Sequence, residues 1–446
     1  MFSSVRFGIV AGLVLATLSL VACEAADATP TPRPTWTPRV VTIVVTPTTE
    51  PTNTPVPTLL PTSTTAPTSV PTAITAAPAG QTGPRVAAPV PVTDNPLLPK
   101  FGPFPPIPIP NRPSNINPLT GLAADPAKLQ RRPIVARIGN DKPVRDNSWQ
   151  AGLSQADIVF EELIDELGSE YAATRYSGVF LSNDPPLIGP IRSERIVNFQ
   201  TVPMLDGALV NAGGSNGTRW LFSQSPLVNL DEYFNQPAYC YIQRDGKVFY
   251  MGRLYTTAAR IREWLQQKKW EAAVPLYGFN FSDRAATGQP VTSIGLSRAP
   301  WPPSETVQWK YDAASGAYQR FVTGAPEMDV SYPSVTAKWG NGADCVVTGK
   351  ETQTQVRMAN VVVLYAQHEK TDIIEDSNNA VSVHITLTGQ GDATFFRDGV
   401  MVPGKWQRQS EQEFFKFTDA AGNPFSLKPG TTWFELVPIG YQLDLK

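Results

Sequence analysis

The chain has 446 residues, and its 37 Lys and Arg nearly balance 39 Asp and Glu for a formal net charge of −2. That balance does not point to nucleic acid or to an extended anionic surface as a partner. Its three cysteines and two histidines form no C-x-x-C or Cys/His cluster, so no metal centre or other cofactor is expected.

The chain opens with "MFSSVRFGIVAGLVLATLSLVAC". Arg6 and the amino terminus supply positive charge, and Phe7 to Leu20 supply an apolar run too short to span a membrane. This predicts a signal peptide over 1–22. Leu20-Val21-Ala22-Cys23 resembles the lipobox of bacterial lipoproteins. That resemblance implies a lipidated Cys23, a membrane anchor and an extracytoplasmic location in the cell envelope.

Residues 23–112 are dominated by Pro and Thr, as in "TPTTEPTNTPVPTLLPTSTTAPTSVPT". Dense proline removes amide donors, and the few apolar residues cannot offset ordering entropy. The reading is a disordered or polyproline-rich stalk, which fully extended would reach on the order of 250 Å.

Ordered structure is expected from "NPLTG". The first folded part, 113–288, reads as mixed α/β. "RRPIVARIGN" predicts a buried strand entered through Pro133, and "LSQADIVFEELID" and "YAATRYSGVFLS" predict two strands joined by a hairpin at "ELGSE". "SERIVNFQTVPML" predicts a short helix capped by Ser193, and "GALVNAGGSNG" a strand running into a glycine turn. "TTAARIREWLQQKKW" predicts a helix with Thr256 or Thr257 at its start and Ala258, Ile261 and Leu265 on one face. The second part, 289–446, reads as a smaller, mainly β domain. Its strands include a hairpin in "TVQWKYDAASGAYQRFV", then "RMANVVVLYAQ", "VSVHITLTG" and "DATFFRDGVMVPGKWQRQ". His384 sits on one face of its strand, whereas His368 is expected after a strand, in a polar stretch. Cys240 and Cys345 form either one disulfide or two buried thiols.

No G-x-S-x-G, S-x-x-K, P-loop or H-E-x-x-H motif is present. The polar residues of the first domain form the candidate ligand site: Asn140, Glu161, Glu162, Arg175, Arg192, Arg195 and the turn Gly213, Gly214, Ser215. Arg192 and Arg195 beside a helix start, with turn amides added, suit a carboxylate or phosphate. Alternatively the arginines neutralise Glu161 or Glu162, with the other glutamate facing water. Glu161, Glu162 and Asp165 are also candidates for a glycan-cleaving carboxylate pair, though adjacent strand residues point to opposite faces. The five tryptophans Trp301, Trp309, Trp339, Trp406 and Trp433 are read as core before sugar platforms.

Together "NPLTG", "RPIVARIGN", "GLSQADIVFEELID", "TRYSGVF", "IGPIRSER", "NAGGS", "VQWKYDAASGAYQRF", "ANVVVL", "FFRDGVMVPGKWQR" and "LKPGTTWFELVP" resemble the YerB-like bacterial lipoproteins, from about Ile116 to Pro438. That resemblance implies an α/β domain followed by a smaller one in a lipid-anchored protein, and no particular reaction. The family pattern carries His before Ala-Gly-Gly and His-Asn before Leu-Tyr-Thr, where this chain has Asn211 and Gly252-Arg253. The function expected is a non-catalytic envelope protein that binds or scaffolds a cell-wall polymer or another envelope protein. The alternative is a wall- or glycan-active hydrolase.

Overall fold

The computed structural model describes residues 95, 97–99 and 111–446, apart from 170–171, 245–248, 332–334 and 348. The leader, Cys23 and nearly all of the Pro/Thr-rich stretch lie outside the described residues.

Five strands of the first half enter its main sheet: β1 (Ile134–Gly139), β2 (Ile158–Asp165), β3 (Ala173–Phe180), β4 (Ala208–Asn211) and β5 (Val228–Asp231). The apolar run of β1 is buried at every position, as expected of a strand covered on both faces. It pairs antiparallel with β3 and parallel with β4, and β4 runs parallel to β5. The hairpin of β2 and β3 forms as expected, with Glu162 opposite Arg175.

The second half does not stand apart. Strand Thr432–Pro438 lies parallel to both β2 and Asn360–Ile374, so Glu161 stands level with Glu435. A twelve-stranded sheet thus joins strands from both halves. One face holds Phe160 stacked on Phe434 at 4.8 Å. The other holds Trp309 edge-on to Trp433 at 5.3 Å. Trp301, Trp309, Trp406 and Trp433 are all core residues, and Trp339 is half-buried. A six-stranded sheet contains the Val307–Asp312 and Ala317–Val322 hairpin. Beyond residue 289 the described helical structure is one 3-10 turn, Pro303–Glu305.

The helix Ala258–Gln267 is capped by Thr257, whose hydroxyl accepts from the Arg260 amide, and Ala258, Ile261 and Leu265 are buried. Cys240 and Cys345 are joined in a disulfide. It crosses a four-stranded sheet to which both halves contribute.

Two local expectations need correction. His368 lies inside the long strand Asn360–Ile374, not after a strand, and burial pushes its imidazole down to about 4. The helix expected at Ser193 starts only at Asn198, runs one turn to Thr201 and is followed by the 3-10 turn Pro203–Leu205. The reason is that residues 190–194 are extended and pair on both sides. Gly139 donates to the Pro190 carbonyl at 2.9 Å and Arg192 to that of Arg137 at 2.8 Å. On the other side Ala212 donates to Arg192 at 3.0 Å and Glu194 to Gly213 at 2.8 Å. The segment wedges between the ends of β1 and β4, where helical geometry is excluded.

Candidate functional site

Strands β1, β4 and β5 share one direction and end on one side of the sheet. Ligands of open parallel sheets gather outside such carboxyl ends. The residues delivered there are Asn140 and Asp141 after β1, the Gly213–Ser215 turn after β4, and Asp231 at the end of β5. The helix start at this edge belongs to Asn216–Ser223 and is capped by Ser215, whose hydroxyl accepts from the Thr218 amide at 3.2 Å.

The wedge brings the arginines to this edge. Gly139 is needed beneath them, since a Cβ there would stand 2.8 Å from Cγ of Arg192. Arg195 grips Asp165 through Nε and Nη2 at 2.7 and 2.8 Å, and its Nη1 is 3.6 Å from Glu375. Burial works against its charge, but Asp165 more than offsets this and holds the guanidinium above its usual range. Arg175 and Arg192 are less well matched, because both reach the single carboxylate of Asp141, each at 3.4 Å. Burial pushes Asp141 up, yet Arg192 and Arg175 outweigh it and hold the carboxyl below its usual range. Burial, then Arg195 and Arg192, push Arg175 down to about 9, so it remains a cation at neutral pH beside two like charges.

The glutamates have other partners than expected. Glu162 is held by Arg137 at 2.9 Å and by the Ser177 hydroxyl at 2.7 Å. Glu161 is held by Arg320 at 2.5 Å, from the far half of the chain. Neither glutamate faces water; both are fully buried, and burial raises both carboxyls. They lie on opposite faces of β2 and neither lines an open cleft, as a pair flanking a glycosidic bond must. Asn140 goes with Glu161, donating to it at 3.1 Å while accepting from the Tyr176 hydroxyl at 2.5 Å.

Eight of the nine candidate residues therefore adjoin the strand ends, directly or through Arg137; Glu161 does not. Arg137 bridges Glu162 to the Ser193 carbonyl, which also accepts from Arg175 at 3.2 Å. Asn140 and Glu161 belong to a second network through the sheet. Glu194 joins the first group. It packs 3.2 Å from where a Cβ on Gly214 would lie, accepts from Asn229 at 2.7 Å, and is pushed up to about 8 by burial. Buried atoms with no hydrogen-bond partner collect here: Nη2 of Arg137, Nε of Arg175 and Arg192, and one oxygen each of Asp141, Glu194 and Glu375. Such groups are costly unless something satisfies them.

Arg137 and Arg320 were missed as site residues. Their sequence signal is a charge inside a largely apolar strand, in "IVARIG" and "AYQRFV". Two of the positions that depart from the family pattern, Asn211 and Arg253, make contacts near the strand ends. Asn211 donates to Asn229 at 2.6 Å and accepts from the Gly213 amide at 2.8 Å, and Arg253 stacks over Tyr241.

Comparison with known proteins places the chain beside one family. Residues 119–271 match the model described as "Protein of unknown function (DUF3048) N-terminal domain", and residues 298–434 match the corresponding C-terminal domain. The chain is 25% identical over 331 residues to "Putative lipoprotein YerB" of Bacillus subtilis, covering 72% of this chain and 86% of that protein. A crystal structure of the Bacillus subtilis YerB protein is similar in fold, with a TM-score of 0.55 and 23% identity over 74% of this chain and 98% of that one. With both domains matched in order, the chain belongs to the YerB-like family of DUF3048 proteins.

Proposed function

We propose that this chain is a non-catalytic envelope binding protein, anchored through a lipidated Cys23, whose folded part takes an anionic group of a cell-wall polymer or envelope protein at the ends of β1 and β4. One observation carries the reading. Two guanidiniums, Arg175 and Arg192, share a single carboxylate at 3.4 Å each, and the Nε of both has no hydrogen-bond partner. A carboxylate or phosphate entering there gains charge-assisted bonds from groups already desolvated. It also relieves repulsion among arginines fixed in place by the wedge. Nothing comparable favours hydrolysis, because Glu161 and Glu162 are each locked to an arginine.

Sedimentation of the detergent-solubilised full chain with purified wall polymer tests this. Wild type is expected to co-sediment, and Arg175→Gln and Arg192→Gln to lose at least tenfold in affinity while remaining folded. Equal binding by folded variants would overturn the site. The anchor is tested separately: Cys23→Ala is expected to move the protein from the membrane to the soluble fraction, and a fully membrane-bound variant contradicts lipidation.

A further inference from the structure

Beside the strand-end site runs a surface track in which rings and guanidiniums alternate. Asp231 closes β5, and the turn Glu232–Phe234 follows at once. Tyr233 and Phe234 are 64% and 71% exposed and stand edge-to-face at 5.0 Å. The Arg219 guanidinium lies 5.5 Å from the Tyr233 ring centre and is held by Asp231 at 2.8 Å. A Cβ on Gly213 would overlap that same guanidinium, so the track begins at the turn that borders the arginine cluster. On its other side the Tyr241 hydroxyl donates to Glu232. Arg253 lies 5.3 Å from the Tyr241 ring and 4.4 Å from that of Tyr250, which is 72% exposed.

Large aromatic side chains gain by burial, and four of the five β-domain tryptophans are buried in this protein. Rings held in water beside guanidiniums therefore ask for a partner. A flat ring offers a platform for the C–H face of a pyranose. A guanidinium stacked against a ring keeps its edge donors directed outward for an anion; Arg253 over Tyr250 is so placed, whereas Arg219 gives Nε and Nη2 to Asp231. A repeating ligand with sugar rings and negative substituents meets both. We propose that the track binds an acidic glycan, pyranose units carrying carboxylate or phosphate, with one anionic group seated between Arg175 and Arg192. This rests on the anionic site proposed above and adds the chemical class of its ligand.

The test titrates the full chain in detergent with inorganic phosphate, a carboxylated oligogalacturonate, a phosphate-bearing phosphomannan, neutral dextran and inorganic polyphosphate. At least one acidic glycan is expected to bind tenfold or more tightly than dextran and polyphosphate, and the one that does identifies the anion. Tyr233→Ala with Phe234→Ala is expected to cut that affinity at least tenfold while the response to inorganic phosphate persists, which also reports that the variant is folded. Dextran or polyphosphate bound as tightly as both acidic glycans, or an unchanged glycan affinity in the ring variant, overturns the track. Loss of the phosphate response in wild type sinks the anionic site itself, whereas phosphate binding without glycan binding sinks only this inference.

Discussion

At the residue scale, the largest electrostatic commitment is Arg320. Its guanidinium contacts Glu161, Glu327 and Glu435 and lies 4.2 Å from the Trp433 ring centre and 4.9 Å from that of Trp309. Removing one partner of a buried charge group strands the rest, so Arg320→Met is expected to cost about 3–5 kcal/mol in urea unfolding. A loss under about 1 kcal/mol would contradict the role assigned to it. Titration has a sign as well. Burial pushes Glu194 and Glu305 each up to about 8 from an ordinary 4.5. In that interval the folded chain holds protons the unfolded chain has released. Their stabilisation is complete below 4.5 and is lost as pH rises through about 8. Below 6.5 the histidines oppose it, since burial holds both His368 and His384 below that value. Between pH 8 and 6.5 the glutamates act without that opposition, so stability is expected to rise as pH falls, by on the order of 1 kcal/mol for each glutamate. Glu194→Gln and Glu305→Gln should flatten the slope in thermal melts. A wild-type profile that climbs toward pH 8 contradicts the assignment.

At the scale of elements, the disulfide and the wedge set the site's frame. Cys240 and Cys345 are 105 residues apart, so Cys240→Ser with Cys345→Ser is expected to cost about 2–4 kcal/mol through the freed unfolded chain. An unchanged urea midpoint contradicts this. Strands were largely legible in the sequence. "RPIVARIG", the Ser-Gly hairpin and the Asp-Gly turn at 398–399 all fold as their patterns read. The wedge was not, because its extended form comes from pairing with two strands distant in sequence, while Ser-Glu before an apolar run mimics a helix cap. The helix Asn216–Ser223 was passed over for a related reason. Its Asn-Gly start reads as a turn, although Thr218, Leu221 and Phe222 keep helical spacing on its buried face. The arginine cluster was legible in part. Arg175, Arg192 and Arg195 were visible as charges in apolar surroundings, but which carboxylate each meets depends on strand register, and the partner of Glu161 lies 159 residues away.

At the scale of the whole molecule, the sheet passes through both halves, with Ile158–Glu162 paired along Thr432–Glu435 and on to Leu436. A chain ending at residue 288 would expose that edge of β2 and leave Glu161 without Arg320. It is expected to show no cooperative unfolding transition, and a sharp transition at the full-length midpoint would contradict the shared core. The anionic site lies wholly within elements before residue 232 except for Glu375, which reaches Thr218 at 2.7 Å and Arg195 at 3.6 Å. The second half therefore supports the site chiefly from beneath. The most direct measurement is calorimetric titration of the full chain with inorganic phosphate at neutral pH and fixed ionic strength. Saturable binding at one site, weakened at least tenfold in both Arg175→Gln and Arg192→Gln, is expected. No saturable heat in wild type, or variants that titrate like it, would contradict an anion seat at the strand ends.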